Sequence, residues 1–174
     1  MNKYNIIYAD PPWAMTGGEL GAKYEVMEID DIKKLNINAL SDDNCVLFLW
    51  CLNTRVPQAI DVMQSWGFDY KAVAFCWVKT SKSTGMPNCR LGSYTLNGME
   101  LCLLGLRGKM KREILNIRQV VMCPRGRHSA KPDVIRNEIV RMYGNKPRIE
   151  LFARQKTDGW DVWGNEVKSD IELK

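Results

Sequence analysis

"NIIYADPPW", residues 5 to 13, decides how the rest of the chain reads. Its first half, "NIIYA", is apolar without alternation, the pattern of a strand covered on both faces. Asp10 ends that run, two proline rings stiffen the next two residues, and Trp13 follows. Similar runs recur at 45 to 51 ("CVLFLWC"), 72 to 78 ("AVAFCWV"), 100 to 106 ("ELCLLGL"), 119 to 123 ("QVVMC") and 148 to 153 ("RIELFA"). Between them lie helical patterns. Residues 55 to 67 place Val56, Ile60, Met63 and Trp66 on one face and stop at Gly67. Residues 131 to 144 enter through Pro132, carry an apolar stripe of Val134, Ile135, Ile139 and Met142, and leave at Gly144. Residues 30 to 40 form a shorter helical candidate. Strands alternating with helices predict an α/β fold, a three-layer sandwich around a mostly parallel sheet.

In such sheets ligands sit beyond the carboxyl ends of the strands, where "DPPW" falls after the first one. The polar segment 79 to 98 follows the third strand and is too long for a simple connection, which predicts a functional loop. No repeat or linker interrupts residues 1 to 174, so one domain is expected.

Composition narrows the class. Apolar residues make up 45% and charged residues 26%, which are globular values. The six cysteines form no CxxC pair and His128 is the single histidine, so no bound metal is expected. Free thiols and the absence of an apolar leader or membrane-length run predict a soluble, cytoplasmic protein with no membrane contact. A net charge of +5 leans towards a polyanionic partner. Eight bases against one acid lie between Arg107 and Lys131, and Arg107, Lys109, Lys111 and Arg112 are candidate phosphate contacts.

A proline-stiffened turn with Trp13 as core filling would explain the two prolines. It leaves Asp10 and Trp13, on either side of them, unexplained. A chemical role explains all four residues. Adenine's exocyclic amine is a poor nucleophile because its lone pair is delocalised into the ring. Acceptors on both amine hydrogens favour the tetrahedral geometry needed for attack and stabilise the developing positive charge. Asp10 offers a carboxylate, Pro11 a main-chain carbonyl held in place by fixed φ angles, and Trp13 a face for base stacking. Neither a covalent nucleophile nor a metal is required.

"DPPW", "LFLW" at 47 to 50, "WGF", "WVKT" at 77 to 80, "HSAKPD" at 128 to 133, "RIELFAR" at 148 to 154 and "WGNE" at 163 to 166 occur in a fixed order. With that ordered set the chain resembles the DPPW-type adenine-N6 methyltransferases, the family of the eukaryotic mRNA adenosine methyltransferase catalytic subunit and of bacterial and phage DNA-modifying enzymes. The resemblance implies a Rossmann-like methyltransferase fold in permuted order, catalytic motif first and cofactor strand last. It implies S-adenosylmethionine as methyl donor. Asp10, Pro11, Pro12 and Trp13 would be catalytic, with Asp10 also near the donor. Lys131 would meet the donor's carboxylate; Glu150, Phe152, Arg154, Asn165 and Glu166 would surround its ribose and adenine. Tyr24 and Glu100 would lie near the target base.

Taken from the residues alone, Glu150 could instead pair with Arg148 or Arg154, and Lys131 could be an ordinary helix-entry lysine. The chain departs from the family at Lys156 and Thr157, where a histidine–asparagine pair is usual. No GxGxxG occurs, which argues against a dinucleotide dehydrogenase. The expected substrate is nucleic acid, DNA favoured over RNA because the compact chain lacks an added RNA-binding zinc domain. An RNA enzyme and a catalytically silent nucleic-acid-binding subunit stay open as alternatives, as does assembly into a homodimer or a heterodimer with a related subunit.

Overall fold

The structure, a computed structural model, describes residues 3–14, 26–92, 94–126 and 130–173. Seven strands form one sheet: β1 (Tyr4–Ala9), β2 (Ser41–Cys51), β3 (Asp69–Thr80), β4 (Met99–Arg107), β5 (Val120–Pro124), β6 (Arg148–Leu151) and β7 (Asp161–Trp163), in the order β5-β3-β4-β2-β1-β6-β7. Strand β1 runs parallel to β2 and β6, β6 to β7, and β3 to β5. Only β4, between β2 and β3, is antiparallel to its neighbours. The sheet is therefore mostly parallel. The reversal of β4 has one large consequence: its first residues stand where β1, β2 and β3 finish, and its last residue stands where β2 begins.

Helices cover both faces, which gives the three-layer Rossmann-like architecture. On one face Ile7, Ala9, Leu47, Leu49 and Leu103 pack against α1 (Ile29–Lys34), α2 (Ile37–Leu40) and α3 (Val56–Ser65). On the other, Ile6, Val46, Phe48 and Phe75 pack against Ile135, Ile139, Met142 and Tyr143 of α4 (Asp133–Tyr143). Each such large side chain contributes roughly 1.5–3 kcal/mol on leaving water, and burial on both faces accounts for the unbroken apolar runs.

Several elements differ from expectation. The helix expected over 30 to 40 is two helices, because Asn36 leaves helical geometry and its side chain caps α2 by accepting from the Ala39 N–H at 3.1 Å. Val134 is exposed, and Tyr143 completes the buried stripe of α4 instead. Strand β7 was not foreseen. Its three residues are too few to show a run.

Candidate active site

Asp10 leaves the carboxyl end of β1, its N–H towards the Leu151 carbonyl at 3.5 Å. The turn after it is tied down on both sides. The Trp13 N–H donates to the Pro11 carbonyl at 2.9 Å, and the Met27 N–H to the Pro12 carbonyl at 2.8 Å. Arg55, itself buried, donates from Nη2 to the Ala14 carbonyl at 2.9 Å. Trp13 is 8% exposed and belongs to the core. Its indole N–H donates to the Trp50 carbonyl at 3.0 Å, which draws the ring inwards. The open stacking face expected of Trp13 is thus corrected: in this conformation the ring fixes the motif from below.

Charge converges on Asp10. Lys131, one residue before the proline that opens α4, places Nζ 2.5 Å from Asp10 Oδ2 and 3.2 Å from Glu100 Oε2. Glu100 sits beside Asp10 because β4 is antiparallel. Its other oxygen accepts from Lys79 at the end of β3. Each ammonium also lies over an indole: Lys131 Nζ is 5.3 Å from the Trp50 ring centroid and Lys79 Nζ 5.1 Å from that of Trp77. Burial alone would push Glu100 towards protonation, but the Lys131 charge and the Lys79 hydrogen bond outweigh it and hold the carboxyl below its ordinary range. Burial likewise works against the Lys131 charge, and Asp10 and Glu100 more than restore it. Acidic and basic side chains thus alternate in a line, Asp10, Lys131, Glu100 and Lys79.

Beside this line the carboxyl ends of β6 and β7 carry the expected donor residues. Phe152 is the one described non-glycine residue with positive φ, at 60°. Strand alternation would put it on the α4 face, and the left-handed turn rolls it onto the opposite cluster, edge to face with Trp163 at 5.3 Å. A bulky residue in this region is uncommon and marks a constrained site. Arg154 and Glu166 meet each other, Nε to Oε1 at 3.4 Å, next to the exposed Asn165. The set suits a ligand that presents a carboxylate, an amine and a nucleoside. Lys131 is a cation and Asp10 an anion for such a ligand to meet, and Phe152, Asn165 and Glu166 present an aromatic ring and polar groups at the same end of the sheet.

Glu150 departs from that set. It is buried, and Arg136 of α4 takes both its oxygens, Nε to Oε2 at 2.7 Å and Nη2 to Oε1 at 2.6 Å. Neither Arg148 nor Arg154 is the partner. In this geometry Glu150 locks α4 to the sheet, with the Arg136 guanidinium 5.3 Å from the Tyr8 ring centroid.

The basic segment is divided. Arg107 pairs in register with Cys45, whereas Leu101 pairs with Cys51, so Arg107, Lys109, Lys111 and Arg112 lie at the amino end of the parallel strands. That is roughly 20 Å from the Asp10 end at about 3.3 Å per residue. Arg107 there donates to the Asn38 side chain. These four candidate phosphate contacts are therefore not neighbours of the Asp10 end. Tyr24 and His128 lie outside the described residues.

Sequence reading missed Lys79, Arg55 and Arg136. Lys79 had a signal: two residues after Trp77 in a strand, it must share that ring's face.

The chain matches a family model and several known proteins. The family model described as MT-A70 matches residues 4–166. The type II methyltransferase M.MunI of a Mycoplasma species is 33% identical, over 98% of this chain and 81% of its own length. The human N(6)-adenosine-methyltransferase catalytic subunit METTL3 is 29% identical over 96% of this chain, and the mouse N(6)-adenine-specific methyltransferase METTL4 29% over 94%. The chain spans only 29% and 37% of the lengths of these two relatives.

Proposed function

The chain belongs to the MT-A70 family, and on that premise we propose that it moves a methyl group from S-adenosylmethionine to the N6 amine of adenine in nucleic acid, DNA in preference to RNA. The observation that carries the reading is the meeting of Asp10, Lys131 and Glu100 at the carboxyl end of the sheet, within 3.2 Å of one another through the Lys131 ammonium. The donor supplies an electrophilic methyl sulfonium. Asp10 accepts one amine hydrogen, and the Pro11 carbonyl has a second lone pair free for the other after binding the Trp13 N–H. The N6 lone pair forms the new N–C bond as the C–S bond breaks, and the amine proton leaves to solvent. Lys131 would hold the donor's carboxylate; Phe152, Arg154, Asn165 and Glu166 would line its nucleoside, and Glu100 would face the base. The DNA preference is supported by the relative named a type II methyltransferase, which is matched over most of its own length.

Asp10→Ala should lower turnover at least about a hundred-fold, the usual loss for one transition-state electrostatic partner. Lys131→Ala should weaken donor binding in calorimetry more than nucleic-acid binding. A fully active Asp10→Ala variant would end the proposal, and unchanged donor affinity in Lys131→Ala would move the donor site elsewhere.

A further inference from the structure

We propose that the opposite, amino end of the sheet carries a second anion site, which holds a backbone phosphate of the nucleic-acid substrate roughly 20 Å from Asp10. A cleft of about 520 Å³ opens there, lined by Lys3, Tyr4, Lys146, Pro147, Arg148 and Asp161 among others. That volume suits a nucleotide-sized ligand.

Arg148 is preorganised. Its Nη1 donates to Asn145 Oδ1 at 2.8 Å and to the Lys146 carbonyl at 3.1 Å, and its guanidinium carbon stands 5.6 Å from the Trp160 ring centroid. Gly159, at φ +74°, lets Nη2 lie against the backbone, where a Cβ would stand only 2.6 Å away. The Arg148 Nε is buried without a hydrogen-bond partner. Among the described residues no carboxylate pairs with Arg148 or Lys3 within 4.0 Å. Asp161, the acid of the lining, is already engaged by the Tyr4 hydroxyl at 2.6 Å. Lys146 has Glu113 at 4.0 Å, a contact that brings the chain after Arg112 to the rim. The cleft thus gathers three cations, Lys3, Lys146 and the positioned Arg148 guanidinium, the chemistry that recognises a phosphate.

The cations also continue beyond the cleft. Lys109, Lys111 and Arg112 are exposed at the same end. A stripe of this kind fits a polymer of phosphates better than one small anion. The inference rests on nucleic acid as the substrate, and it gives the basic segment a task remote from the target base.

The test is the double variant Lys146→Gln/Arg148→Gln, with Arg148→Lys as its charge-keeping companion. Fluorescence anisotropy is read at several salt concentrations on a hairpin of about 6 base pairs and a duplex of about 24, each with its adenine at the centre, since 20 Å spans roughly six steps of 3.4 Å and only the duplex reaches that far from its centre. The glutamine variant should bind the long duplex about tenfold more weakly, with a salt slope smaller by about 0.9 for each phosphate it no longer neutralises. It should bind and methylate the short hairpin as the wild type does, and Arg148→Lys should keep most of the slope even if the glutamine variant folds poorly. An unchanged slope on the long duplex, or equal losses on both lengths, overturns the proposal. So does inorganic phosphate binding at the cleft in a way that Arg148→Gln abolishes, if duplex affinity is unaltered. Failure of wild type and variant alike to methylate any substrate would count against the enzymatic reading instead.

Discussion

Glu100 has no proton to give at neutral pH. Held between two ammoniums, it serves as an acceptor and as an anchor for Lys131. The stability it contributes is present above the ordinary carboxylate pKa, about 4.3, and is lost as pH falls through its lower folded value. Lys131 behaves in the opposite sense: its contribution is complete below about pH 10.4 and fades as pH rises through a higher folded value. Glu100→Gln should therefore lose on the order of 3 kcal/mol at pH 7, since Lys79 and Lys131 are left facing a neutral amide. The gap to wild type should narrow below the ordinary carboxylate pKa and close as pH falls through the lower folded value, where the wild-type carboxyl too becomes neutral. Urea unfolding of both proteins from neutral to acidic pH checks this, and a gap independent of pH would show that folding does not favour the ionised form of Glu100. The DPPW motif was legible because an aspartate at a strand end before two prolines is chemically conspicuous, and Lys131 was legible through the resemblance rather than through its spacing. Lys79 was less so, because a lysine at the end of a strand ordinarily reads as a solvated one. Nor could composition show that Trp13 would turn inwards, since the acceptor that holds it, the Trp50 carbonyl, lies 37 residues away.

Among elements, a buried ion pair ties β6 to α4 in addition to the apolar packing of α4 on the sheet. Glu150→Ala leaves Arg136, itself buried, with only the exposed Asp133 at 2.8 Å as a carboxylate partner among the described residues, which should cost on the order of 3 kcal/mol. Replacing both by apolar residues of similar size, Arg136→Met with Glu150→Leu, should recover most of that loss, because neither charge then remains unpaired. Thermal or urea unfolding of the single and double variants decides it. If Glu150→Ala instead leaves stability intact and weakens only donor binding, Glu150 belongs to the donor after all. The apolar runs disclosed six strands and the helices that matter, because burial on both faces writes itself into continuous hydrophobicity. They could not disclose direction. A strand reads alike forwards and backwards, so the reversal of β4 was hidden, and with it the placement of Glu100 beside Asp10. The Glu150–Arg136 pair was hidden too, because sequence offered nearer arginines.

Across the whole molecule, the sheet separates two kinds of charge. The carboxyl end holds the neutralised line of Asp10, Lys131, Glu100 and Lys79; the amino end holds cations in excess, Lys3, Lys146 and Arg148 with the exposed Lys109, Lys111 and Arg112. The first arrangement suits chemistry on one base, the second a grip on its backbone. The central claim concerns the first end. Its most direct test is to supply the purified protein with methyl-labelled S-adenosylmethionine and adenine-containing DNA or RNA, digest each to nucleosides, and locate the label by mass spectrometry. The label should appear on N6 of adenine, faster in DNA than in RNA, and should vanish with Asp10→Ala. Label on any other atom, or on N6 at an undiminished rate without the Asp10 carboxylate, would contradict the account.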